Sequence, residues 1–199
     1  MNHSPQQSVV YILPCHPRHE RAFSLHQALV TLTVISLVSA MAVPAYQQLI
    51  SSQRMSSAVN SLVTALHLAR SEAIKRNERA VLCPSADGQL CRNSGAGDTA
   101  WENGYLVYID RNANHEFDAE DVLVWLSGKH ESLHIRSSAD RDQVIYQPNG
   151  MAPGSNLTFS FCDKHGQSPP RAVIVSTSGR PRTSTRDASG RAITCPTSS

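Results

Sequence analysis

The chain has 199 residues, with 18 Lys and Arg against 16 Asp and Glu, a net charge of +2 and a hydrophobic content of 40%. That length allows one well-formed domain plus accessory segments, and the near balance of charge excludes a protein committed to an anionic partner by net charge alone. The charge is segregated instead. Glu102, Asp110, Glu116, Asp118, Glu120 and Asp121 stand against Arg111, whereas from Lys164 onward Arg171, Arg180, Arg182, Arg186 and Arg191 stand against Asp187. Such a molecule can present a basic face to an anion.

In chain order, residues 1–22 are polar and carry Arg18 and Arg21. From Ala22 to Gln53 there is no Asp, Glu, Lys or Arg, and Ala28–Tyr46 is apolar enough to cross, as a helix, a bilayer core of roughly 30 Å. The two arginines before it hold that end in the cytoplasm and send the rest of the chain to the far side. Beyond Arg54 the apolar residues thin into a stripe of Val59, Leu62, Val63, Leu66, Ala69, Ala73 and Ile74, which predicts a continued helix with one buried face. Glu72 and Arg76 form an i, i+4 pair on the solvated side.

After Asn77 the pattern changes to short β-prone runs between turn residues. Strands are expected at 80–83, 104–110, 122–126, 133–136, 144–147, 157–162, 172–177 and 192–195, forming an antiparallel sheet on the apolar stripe. Clusters such as Asn93-Ser94-Gly95-Ala96-Gly97 and Pro148-Asn149-Gly150 mark the turns. Of five cysteines, Cys15 precedes the apolar segment, and Cys83, Cys91, Cys162 and Cys195 follow it. Four cysteines beyond a single span suit an oxidising compartment and two disulfides. Three pairings are open; the short loop favours Cys83 with Cys91, which leaves Cys162 with Cys195. A four-cysteine zinc site lacks any CxxC pair to support it.

Asp110–Asp121 spaces oxygen ligands as a twelve-residue calcium loop does. Its sixth position, where such a loop needs glycine, is His115, and its last is Asp121 rather than glutamate. An Asx-rich turn is the expectation, with no metal and no cofactor. The histidines show no HExxH spacing, the serines no GxSxG context, and no phosphate-binding glycine loop is present, so no enzyme is expected. Near the C-terminus, Gly179 permits a tight turn and Pro181 fixes the backbone beside Arg180 and Arg182. Guanidinium groups held this way suit a phosphate backbone.

Several segments together resemble one family. Ala22-Phe23-Ser24-Leu25 ahead of the apolar helix is similar to the processing site of type IV pilins and type II secretion pseudopilins. Pro44 lies where this family commonly carries a proline. Ala69-Arg70-Ser71-Glu72-Ala73-Ile74, then Leu82-Cys83-Pro84-Ser85, Trp101, Gly104-Tyr105-Leu106-Val107-Tyr108, Asp110-Arg111-Asn112 and Gly179-Arg180-Pro181-Arg182 resemble the FimT/FimU and GspH-like minor pilins in order, FimT most. Two positions depart from the family pattern: Ala22 replaces its glycine and Gln27 its glutamate.

The resemblance implies an α+β, type IV pilin-like fold, with a leader over 1–22, a membrane-spanning helix half over 23–50, an amphipathic half over 51–77 and a β-rich head over 78–199. It implies cleavage between Ala22 and Phe23 by a prepilin peptidase, single-pass residence in a bacterial inner membrane with a periplasmic head, and exposure outside the cell once in a pilus. Implied partners are other minor and major pilins or pseudopilins. In the FimT-like branch the C-terminal region is implicated in DNA capture during natural transformation. This makes double-stranded DNA an expected partner of Arg180 and Arg182, helped by Arg171, Arg186, Arg191 and Lys164. The alternative expectation is a purely structural minor pilin or a pseudopilin of a secretion filament.

Overall fold

The computed structural model describes residues 24–91, 100–138 and 141–196. The expected processing site at Ala22 and Phe23, Cys15 and the turn cluster at 93–97 lie outside the described residues. A 52-residue helix, α1, runs over Leu25–Arg76. Ser24 caps it, its Oγ accepting the Gln27 N–H at 3.3 Å. The helix closes at Asn77, which takes the left-handed φ of 55°. Lys75 and Arg76 in the last turn oppose the negative end of the helix dipole.

Contacts divide the chain between Ala42 and Val43 into two compact units. In the N-terminal unit, α1 is apolar and exposed, with Leu32, Ile35, Leu37 and Met41 at 60% or more, and this part is long and apolar enough to cross a membrane. Three of its hydroxyls are turned inward on the backbone. Thr31, Thr33 and Ser36 donate to the carbonyls of Ala28, Val30 and Thr33 at 2.8–2.9 Å. Hydroxyls bonded to the helix backbone in this way cost less to place in hydrocarbon.

The C-terminal unit is built on the rest of α1. Met55, Ala58, Val59, Leu62, Ala65, Leu66, Ala69 and Ala73 are fully buried in rows three and four residues apart. Alanines make up half of that face, so strands can approach the helix closely. Val63 is only partly buried and Ile74 is half exposed. Five of the seven stripe residues expected from the sequence, Val59, Leu62, Leu66, Ala69 and Ala73, thus lie in the core, and Met55, Ala58 and Ala65 complete the buried face in place of Val63 and Ile74.

Eight strands follow: β1 (Arg79–Pro84), β2 (Tyr105–Asp110), β3 (Val122–Leu126), β4 (Leu133–Ser137), β5 (Val144–Tyr146), β6 (Leu157–Asp163), β7 (Arg171–Val175) and β8 (Pro181–Ser184). They form two four-stranded sheets, ordered β3-β2-β1-β5 and β4-β6-β7-β8, rather than the one expected. Every named pairing is antiparallel. Seven expected strands are present with ends within two residues. The eighth, over 192–195, is corrected: Ala192 makes an isolated bridge to Arg186, and the last strand is β8.

One core joins the two sheets to α1, and Trp101 stands edge-on to Phe159 at 4.8 Å within it. Beside Trp101, the buried Glu102 accepts the Ile135 N–H at 3.1 Å and the Arg136 guanidinium, tying the 3-10 turn Trp101–Asn103 to β4. A smaller cluster of Val81, Cys83, Leu106 and Tyr108 fills the other face of the first sheet, roofed by Phe117 and Cys91. Disulfides join Cys83 to Cys91 and Cys162 to Cys195, with Cα atoms 5.6 and 5.7 Å apart.

Candidate nucleic-acid interface

Strands β7 and β8 form a hairpin whose alternation decides where the arginines point. Val173 and Val175 belong to the core, so Ile174 lies on the opposite face. Arg182 pairs with Ile174 and projects to that outer face. The Ser176 N–H points at the Arg180 carbonyl at 3.5 Å, extending the same register by one step. Arg180 and Arg182 therefore leave one face of an edge strand, roughly 7 Å apart along the chain. Pro181 between them opens β8, where an edge strand tolerates a missing N–H.

The hairpin tip is seated on two glycines. Gly179 has φ 75°, and a Cβ there would lie 2.3 Å from the Gly150 carbonyl oxygen. Gly150 has φ 74°, and its Cβ would lie 2.7 Å from Ile74 Cδ1 on α1. Arg70 Nε donates to the Gly150 carbonyl at 2.9 Å, and the Ala152 N–H donates to the Thr177 carbonyl at 2.9 Å. The turn that carries Arg180 is thus fixed to the helix through the 147–152 loop. Arg70 and Gly150 hold no site role in the sequence reading. Asn149-Gly150 signals a turn there, but no local pattern says which element the turn supports.

The six basic residues named from the sequence do not converge. Lys164 and Arg171 lie at the far end of the hairpin, about 15 Å from the tip, with Arg171 in register with Phe161. Lys164 follows Asp163. Burial pushes that carboxyl up, but the Ser51 hydroxyl at 2.7 Å and the N–H groups of Gln167, His165 and Ser168 outweigh it and hold it low. In the tail, Arg186 donates to the Gly190 carbonyl at 3.0 Å, and Arg191 pairs with Asp187 at 3.0 Å. The Arg191 N–H, and then its side chain, keep the Asp187 carboxyl below its usual range, so that partner stays charged.

Among the described residues, no hydrogen bond or ion pair engages the side chains of Lys164, Arg171, Arg180 or Arg182. The Cys162–Cys195 bond ties the tail back to β6. What remains at the tip is two unengaged guanidinium forks on an ordered strand, chemistry suited to bidentate contact with anionic oxygens.

Comparison with known proteins gives the fold its relatives. The family model described as "Type II transport protein GspH" matches residues 58–179, more than half of the chain. The chain is similar to the pilin-like protein PilA1 of Thermus thermophilus, at 27% identity over 170 residues, spanning 81% of this chain and 97% of that one. Its fold is similar to that of the type IV minor pilin FimU of Pseudomonas aeruginosa, with a TM-score of 0.51 and 18% identity over 66% of this chain and 89% of FimU. The matched span takes in most of the buried part of α1, strands β1 to β7 and the turn as far as Gly179, and the chain accordingly belongs to the GspH family of type IV minor pilins and pseudopilins.

Proposed function

We propose that this protein is a minor pilin that binds double-stranded DNA without sequence preference, through Arg180 and Arg182, in support of DNA uptake in natural transformation. The observation that carries the reading is the pair of unengaged guanidinium groups on one face of β8. The strand is held at its turn by Gly179 against Gly150. A pre-ordered loop loses little entropy on binding. Lys164 and Arg171 contribute at longer range, whereas Arg186 and Arg191 are partly committed within the tail.

In this reading the leader is removed between Ala22 and Phe23 by a prepilin peptidase, the apolar half of α1 resides in the inner membrane, and the head faces the periplasm or, in a pilus, the outside. Partners are other minor and major pilins, and the role is not enzymatic. Gln27 in place of the family's glutamate fits a subunit of low abundance, because it lacks the charge that would pair with a neighbour's free amine. A purely structural role in a pilus or secretion filament is the second reading, favoured by the match to a secretion-protein family.

The two readings part on one experiment. Full chain in detergent micelles should retard linear duplex DNA at low salt with micromolar affinity, and log K should fall by about 0.9 per log salt for each phosphate neutralised. Arg180→Ala/Arg182→Ala should flatten that slope by about 1.8 and weaken binding at least tenfold. No retardation by the unaltered chain leaves the structural role; retardation indifferent to the double change moves the interface elsewhere.

A further inference from the structure

The hairpin loop between β2 and β3, from Asp110 to Asp121, turns back over Tyr108 and holds groups that the DNA-binding reading does not use. Asp110 is 3% exposed, and its Oδ1 is buried without any hydrogen-bond partner. The same carboxylate faces the loop, since its Oδ2 accepts the His115 N–H at 3.3 Å. A buried anionic oxygen facing no donor is costly unless a cation satisfies it. The loop offers further oxygen donors around it. Asn112 and Asn114 each bring their side-chain amide to the same atom, Asp118 Oδ2, at 2.8 Å, so the third, fifth and ninth positions already meet at one point.

We propose that Asp110–Asp121 is a calcium-binding loop, with Asp110, Asn112, Asn114 and Asp118 as side-chain ligands and the Glu116 carbonyl at the seventh position. Among the described residues no three Asp, Glu, His or Cys side chains form a metal-holding group. The donor set therefore depends on amide and carbonyl oxygens, which a hard cation such as calcium accepts and zinc does not favour. The Asn112 and Asn114 amides rotate on binding so that Oδ1 replaces Nδ2 at the centre. The histidine that counted against a site in the sequence does not prevent the turn: His115 has φ 63°, the conformation glycine would supply there. Arg79, whose guanidinium lies 3.2 Å from His115 Nε2, and Gln143, which donates to the His115 carbonyl at 3.0 Å, hold the residue in that strained state. A non-glycine at this position and a short Asp121 at the end place the site in the weak class, with Kd on the order of 10⁻⁴–10⁻³ M.

The test is a calorimetric titration of chelator-treated full chain in detergent micelles with calcium chloride, repeated with terbium luminescence excited through the aromatic residues. One saturable equivalent is expected, with magnesium a poor competitor. Asp118 is exposed and replaceable by an isosteric amide, so Asp118→Asn should still unfold cooperatively without calcium, at a midpoint lowered by the loss of its bonds to Asn112 and Asn114, yet bind at least about tenfold more weakly. His115→Gly should bind several-fold more tightly. Absence of a saturable signal up to about 10 mM calcium overturns the proposal, and so does binding that Asp118→Asn leaves unchanged.

Discussion

Glu102 is the residue on which the pH response of the head turns. Its side chain is 8% exposed and carries the Arg136 guanidinium, the Ile135 N–H and, at 3.5 Å, His134 Nδ1. Burial alone would push the carboxyl up; the Arg136 hydrogen bond and the backbone N–H groups prevail and hold it below the usual glutamate range. A folded-state pKa lowered in this way stabilises the protein above the unfolded value, and that contribution disappears as pH falls through the folded value. Glu102→Gln should therefore cost about 2 kcal/mol at neutral pH, and the gap to the unaltered chain should close below the ordinary carboxylate range. Urea unfolding at pH 7 and near pH 3 checks this; a constant gap would mean that the charge of Glu102 is not what matters. Nothing in the sequence separates this glutamate from the acidic run that follows it, because its partner lies 34 residues away in the chain.

At the scale of elements, the sequence period carries α1 and seven strands because each is a local pattern, whereas β8 escapes it. Gly-Arg-Pro-Arg reads as a turn, and the apolar pair Ala192 and Ile193 reads as a better strand than Pro181–Ser184. Long-range pairing reverses the two: β7 offers an edge to β8, while the disulfide at Cys195 draws the tail across β6. Division into two sheets is likewise a matter of which strands meet, which alternation does not encode. The sequence already sets Arg180 and Arg182 side by side around Pro181; the seating of their turn was not legible, since it depends on Gly179 resting against Gly150, a loop 29 residues earlier in the chain. Gly179→Ala should cost about 2–4 kcal/mol, from left-handed strain plus displacement of the Gly150 carbonyl. Gly190→Ala, with φ 80° but open space around it, should cost only about 1 kcal/mol. Equal losses in chemical denaturation would show that φ, not the close approach, sets the glycine requirement.

The whole molecule places two different environments on one continuous helix. Up to Met41, α1 keeps its large apolar side chains exposed and the hydroxyls of Thr31, Thr33 and Ser36 bonded to its own backbone. From Met55 it buries a face rich in alanine within a core that includes residues of both sheets. The second environment is complete by residue count: every member of that core lies between Met55 and Val175, within the unit that begins at Val43. A chain starting at Val43 should therefore be soluble without detergent and unfold cooperatively, with a midpoint within a few degrees of the full chain. The full chain should float with liposomes in a density gradient, while the shortened one stays at the bottom, because burial in lipid of the thirteen apolar residues between Phe23 and Ala42 is lost. Aggregation or non-cooperative unfolding of the shortened chain would mean that the first half of α1 stabilises the head as well as anchoring it. Flotation of the shortened chain would instead mean that the head carries a membrane-binding surface of its own.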